Sequence, residues 1–142
     1  MIEVNNLVSI KINKKRLVDI GRTVINGETK EDKDLSIAFV GPKRIRELNN
    51  KYRGEDKATD VLSFSAAEDS FFKKKIFPTE LGEIIICPAI VKKNAKEAKT
   101  AFSKELKRVL IHGILHLFGY DHEKGEKEKR AMERREERYF LK

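Results

Sequence analysis

A single cysteine, Cys87, among 142 residues leaves no partner for an internal disulfide and no ligands for a cysteine-rich zinc finger. Long apolar runs are also missing, and none approaches the ~18 residues of a membrane-spanning helix. The N-terminus, Met1-Ile2-Glu3-Val4-Asn5, lacks the basic patch and apolar stretch of a secretory signal. There is no internal repeat and no Pro/Ser linker. These absences predict a soluble chain in a reducing, cytoplasmic setting, with no membrane and no disulfide partner. The length suits one domain over residues 1–142, which at this size buries roughly 70% of its unfolded surface and folds without staples. Apolar content is low at 39% and charged content high at 38%, but the apolar residues fall in periodic runs, which argues against global disorder.

Basic residues outnumber acidic ones by 31 to 23, for a net charge of +8. The excess is uneven. Residues 41–57 carry six basic and three acidic groups, residues 88–111 seven and two, and residues 58–87 three and five. Two basic stretches therefore hold most of the excess, which suits an anionic partner, RNA first. Solvated faces of lysine-rich helices explain the same charges equally well, and abundant Lys and Glu also fit adaptation to heat.

Met1–Val4 and Leu7–Ile12 alternate like short strands at a sheet edge. Leu17, Ile20, Val24 and Ile25 recur at helical spacing over Lys14–Asn26, with Gly27 as a stop. A strand over Asp34–Val40 ends at Gly41-Pro42, and Pro42 suits the first turn of a helix with Ile45, Leu48 and Tyr52 on one face. Asp60–Phe64 reads as a strand and Ala66–Thr79 as a mobile loop. Leu81–Cys87, with Ile84-Ile85-Ile86 continuous, predicts a central strand. Pro88 opens a helix to about Lys99. Phe102–Phe118 forms another, with Phe102, Leu106, Val109, Leu110, Gly113 and Leu117 on one stripe and Gly119 as its stop. Glu123–Lys142 reads as a solvated terminal helix laced with Glu/Arg pairs. The mixture indicates an α+β fold, a small mixed sheet packed by helices.

All three histidines fall in His112-Gly113-Ile114-Leu115-His116-Leu117-Phe118-Gly119-Tyr120-Asp121-His122. His112 and His116 share a helix face one turn apart, and a turn at Gly119 can return His122 to the same point. Three neutral imidazoles with one open position are the ligand set of catalytic zinc, whereas a structural site closes with four protein ligands. An accidental cluster, or core histidines satisfied by backbone, is the bland alternative. The pair, the glycine and the third histidine together favour a metal. Asp121 could support the site as an outer acceptor or serve as a turn residue, and the turn is favoured. The spacing resembles that of metzincin proteases, but those place a glutamate base after the first histidine, where Gly113 stands here.

Leu48 to Phe64 runs from a helix end through a polar turn into a strand. Arg53, before Gly54, could project a planar fork suited to phosphate oxygens, or pair with Asp56 or Asp60, which spacing alone favours. Thr59-Asp60 by default brace the turn.

With both stretches in view, the chain resembles the YbeY family of bacterial endoribonucleases, the zincin-like rRNA maturation factors. The resemblance rests on Asn49 to Phe64 (N-x-x-Y-R-x-x-D-x-x-T-D-V-L-S-F), on Leu81-Gly82-Glu83-Ile84-Ile85-Ile86-Cys87 and on His112 to His122. Ser65 stands where that family usually has proline, and Glu83 where aspartate is common. The resemblance implies a zinc-dependent, single-strand-specific endoribonuclease acting in small-subunit (16S) rRNA 3′-end maturation and ribosome quality control. It implies one Zn²⁺ per chain, or another divalent transition metal, on His112, His116 and His122, and a catalytic role for Arg53. Its partners would be single-stranded RNA, rRNA and the small ribosomal subunit. The implied fold is a compact α+β domain with a mixed, mainly parallel sheet and the metal helix beside a cleft. The rival readings are a metal-dependent hydrolase of another substrate, such as a peptide, and a non-catalytic ribosome assembly factor with a structural metal.

Overall fold

The computed structural model describes residues 1–67 and 79–142. Along the chain it places β1 (Ile2–Asn6), α1 (Lys14–Glu28), β2 (Asp34–Phe39), α2 (Pro42–Arg53), β3 (Val61–Ser65), β4 (Glu80–Ile86), α3 (Pro88–Glu97), α4 (Phe102–Leu117) and α5 (Glu126–Phe140). The strands form one sheet in the order β1-β2-β4-β3. β1 and β4 both run parallel to β2, and β3 runs antiparallel to β4. The expected α+β class with a mixed, mainly parallel sheet is therefore the fold found.

β4 is internal, as its continuous isoleucines demand. Ile84 and Ile86 enter a core with residues of α1 and α4, while Ile85 faces the other way against Ile45 and Leu48 of α2. The sheet is thus covered on both faces. The period-2 alternation of a strand divides one apolar run between two cores. α4 lies against β3 and β4 and also packs on α1, α3 and α5. It consequently buries Ile111, Ile114 and Leu115 as well as most of the stripe read from the sequence.

Three expectations are corrected. Leu7–Ile12 is not a strand. The Asn6 side-chain amide donates to the Ile10 carbonyl at 2.8 Å and its oxygen accepts from the Val8 N–H at 3.1 Å, so a local side-chain turn outcompetes a ladder. Gly27 does not stop α1, which runs to Glu28. A Cβ there would overlap the Tyr139 ring, so the glycine makes room for α5. α5 in turn is not merely solvated, because it buries Met132 and Tyr139 completely or nearly so. The loop expected over Ala66–Thr79 falls, at residues 68–78, outside the described residues. Cys87 is buried with a free thiol. Among the described residues no helix is long and apolar enough to cross a membrane.

Candidate metal centre and cleft

The local chain path explains how three histidines meet. α4 supplies His112 and His116 from adjacent turns. The helix then closes with the Gly119 N–H donating to the His116 carbonyl at 3.0 Å and the Tyr120 N–H to the Leu115 carbonyl at 3.2 Å. These are the two bonds of a Schellman close, and Gly119 takes the left-handed φ of +96° that it requires. Asp121 accepts from the Glu123 N–H at 2.9 Å, the turn role favoured for it. The chain thereby doubles back and brings His122 beside the pair. Ring centroids lie 4.5 Å apart for His112 and His116, and 5.4 Å from each of these to His122. One nitrogen from each ring lies within 4.8 Å of the others.

The donor set fits a transition metal. The Nε2 atoms of His112 and His116 are 3.0 Å apart, close to the edge of about 3.3 Å of a tetrahedron with zinc–nitrogen bonds of about 2.0–2.1 Å. Burial, reinforced by the two neighbouring imidazoles, pulls the His116 pKa below its ordinary value. His116 therefore stays neutral at physiological pH, the form that binds a metal. The other nitrogen of His112, Nδ1, is 3.3 Å from Glu136 Oε1 on α5. An ionised carboxylate only accepts, so Nδ1 carries the proton and Nε2 presents its lone pair beside His116. Glu136 is the residue that sequence reasoning missed. A signal for it existed: Met132, Glu136 and Tyr139 fall at i, i+4 and i+7, which sets a carboxylate on the buried stripe of α5.

Gly113 is hemmed in. A Cβ there would lie 3.1 Å from Ser63 Oγ and 3.3 Å from Ile84 Cδ1, and its carbonyl already accepts from the Ser63 hydroxyl at 3.1 Å. Helix and sheet approach closely here, so a side chain at this position, such as the glutamate that a metzincin carries, would push its neighbours by a few tenths of an ångström.

The histidines line a cleft of about 980 Å³ that Arg53 also lines. Arg53 ends α2, and Gly54 caps that helix in the left-handed conformation, φ 72°. The Arg53 guanidinium donates to the Ser63 carbonyl at 2.6 Å and stacks 4.7 Å from the Phe64 ring centroid. Asp56, one of the two ion-pair partners weighed for Arg53, is instead engaged by Arg46 through two bonds of 2.8 and 3.2 Å. Asn49 is 2% exposed and donates to the Lys57 carbonyl at 2.9 Å, which ties down the turn beyond Arg53. The Asn49–Phe64 stretch thus folds as a braced ledge that lines the cleft together with α4, and its β3 end packs directly on that helix. Of the basic residues on α4, Arg108 lines the cleft, whereas Lys104 and Lys107 do not.

The family model described as Endoribonuclease YbeY matches residues 3–142. The chain is 42% identical over 108 residues to Endoribonuclease YbeY of Thermotoga maritima, an alignment covering 76% of this chain and 66% of that protein. It is 40% identical over 124 residues to the Endoribonuclease YbeY of a Sulfurihydrogenibium strain, covering 87% and 79%. The first of these alignments spans slightly under two thirds of its relative's length. A solution structure of a Thermotoga maritima protein superposes with a TM-score of 0.67 at 35% identity, covering 99% of this chain and 87% of that one.

Proposed function

Because the chain belongs to the YbeY endoribonuclease family, we propose that it is a metal-dependent endoribonuclease, working as one domain over residues 1–142 and cutting single-stranded RNA in the cleft between α4 and the Arg53 ledge. The observation that carries this reading is the convergence of three imidazoles in the cleft that Arg53 also lines. His112, His116 and His122 would hold one ion, with zinc the best match to an all-imidazole set and another divalent transition metal the alternative. When bound, zinc supplies Lewis-acid chemistry at a phosphodiester.

The chain's own residues do the rest. Glu136 holds the proton on His112 Nδ1 and so fixes the ring that faces the ion. Arg53, braced by Phe64 and the Ser63 carbonyl, stabilises the charge that builds on the phosphoryl oxygens. Gly113 leaves the position of a peptidase base without a side chain, which disfavours peptide hydrolysis. The family's role points to 16S rRNA 3′-end maturation and ribosome quality control, with the small ribosomal subunit as partner, in the cytoplasm.

The test is cleavage of single-stranded RNA by metal-reconstituted protein, alongside His116→Ala purified identically. Metal-dependent cleavage by the parent and none by the variant is expected. Equal cleavage by both would expose a contaminating nuclease. Ribosome binding by both with cleavage by neither would favour a non-catalytic assembly factor whose metal is structural.

A further inference from the structure

A second hollow, of about 410 Å³, opens beside the metal cleft and is lined by Tyr120, Ala131, Arg134, Arg135 and Arg138. Tyr120 lines both cavities, so the two are neighbours across one side chain. α5 carries five glutamates, yet none of them lines the hollow among the described residues. Glu136 instead faces the metal cleft. Arg135 is committed to Glu28, with its guanidinium 3.7 Å from the carboxylate. Arg134 and Arg138, one helical turn apart and both exposed, take no ion-pair partner among the described residues. Arginine side chains thus border a space that no carboxylate lines, and the two uncommitted guanidiniums, Arg134 and Arg138, can take an oxyanion, with phosphate matching the planar fork.

We propose that this hollow binds a backbone phosphate of the RNA strand next to the linkage held in the metal cleft. The inference rests on the endoribonuclease reading and extends it, since it gives the strand a direction, over Tyr120 and onto α5. A strand laid this way is anchored on one side of the scissile linkage by Arg134 and Arg138 while Arg53 engages the reacting phosphate. Short RNAs that fill only the cleft would not feel the two arginines, and longer ones would. Contiguity through Tyr120 favours RNA over an acidic protein partner, because an RNA strand in the cleft must continue past one of its ends.

The test uses the zinc-loaded full chain and Arg134→Gln/Arg138→Gln, leaving Arg135 in place because it braces Glu28. Affinity for a long single-stranded RNA is measured against salt, and cleavage is compared on long and minimal RNAs. The double variant should keep its metal and its cleavage of the minimal RNA. It should bind the long RNA several-fold more weakly, with the log–log salt slope reduced by roughly 1.4, or about 0.7 for each lost contact. Lys92→Gln/Lys93→Gln on α3 removes the same charge elsewhere and should change the slope far less. An unchanged slope in the arginine variant, or an equal loss in the lysine variant, would overturn the proposal. So would unchanged RNA binding together with lost binding of a polyglutamate peptide, which would mark an acidic-protein face. If the parent itself neither binds nor cleaves RNA, the functional reading falls and the hollow's role falls with it. If the parent cleaves and only the slope result fails, the functional reading stands.

Discussion

Replacing Glu136 with glutamine keeps the side chain's size and removes its charge. The amide can still accept from His112 Nδ1, so the fold should hold, but the imidazole loses the carboxylate that fixes its tautomer and raises its basicity. Metal affinity should fall by roughly 10- to 100-fold, the usual effect of losing such an outer partner, with little change in melting temperature of the metal-free protein. Competition with a chromophoric chelator measures the first and calorimetry the second. A loss of stability without a loss of affinity would make Glu136 a packing residue. Arg53→Lys addresses the other wall. It retains the positive charge but loses the fork and the planar stack on Phe64, so it should depress cleavage more than folding. The histidines were legible from spacing because an i, i+4 pair and a glycine turn leave little freedom. The setting of Arg53 was not, since its bond to the Ser63 carbonyl joins residues of two elements and depends on how α2 meets β3.

α5 shows why a helix can be recognised from sequence and its purpose still missed. Its dense Glu/Arg pattern reads as a solvated face, and two buried apolar residues seven apart give only a thin seam. That seam nevertheless closes over α4, the helix that carries His112 and His116. Met132 is fully buried, and Met132→Ala should cost about 2–5 kcal/mol, as for other buried large-to-small changes, readable by denaturant unfolding. The same helix completes a buried hub at Glu28. The Tyr120 hydroxyl donates to Glu28 Oε1 at 2.7 Å, the Tyr139 hydroxyl donates to Oε2, and the Arg135 guanidinium lies 3.7 Å away. One carboxylate thus joins α1, the histidine turn and α5. Burial and the adjacent carboxylate raise both phenol pKa values, that of Tyr139 to about 12. A phenol whose pKa is higher folded than unfolded stabilises the fold fully below pH 10 and progressively less as pH rises towards 12. Stability should therefore drop across that alkaline window, and Glu28→Gln should flatten the drop while weakening the fold at neutral pH. An ultraviolet phenol titration beside thermal unfolding checks both. The sequence offered no sign of this hub, because Glu28 and Tyr139 are 111 residues apart.

At the scale of the molecule, a net charge of +8 is a poor guide to the cleft itself. The cleft wall carries six carboxylates, Glu136 and Asp60 among them, against Arg53, Arg108 and Lys124. The basic excess lies mostly elsewhere, including the lysines of α3, so the sequence's two basic stretches do not simply map onto the RNA path. A wall of net negative charge repels phosphate unless a cation sits among the histidines. Even in water, a unit charge pair 4 Å apart is worth about 1 kcal/mol, and a divalent ion doubles this. Removing the metal by dialysis against chelator should therefore weaken single-stranded RNA binding on the order of 10-fold or more, beyond abolishing cleavage. Arg108→Gln, which removes a cleft cation, should weaken binding further and lower the salt slope by about 0.7. Lys104→Gln, outside the cleft, should do less. Fluorescence anisotropy across a salt series, on loaded and metal-free protein, separates these effects. Equal affinity with and without metal would mean that the strand is held by the arginine hollow and outer basic helices alone, and that the ion acts only on the reacting phosphate.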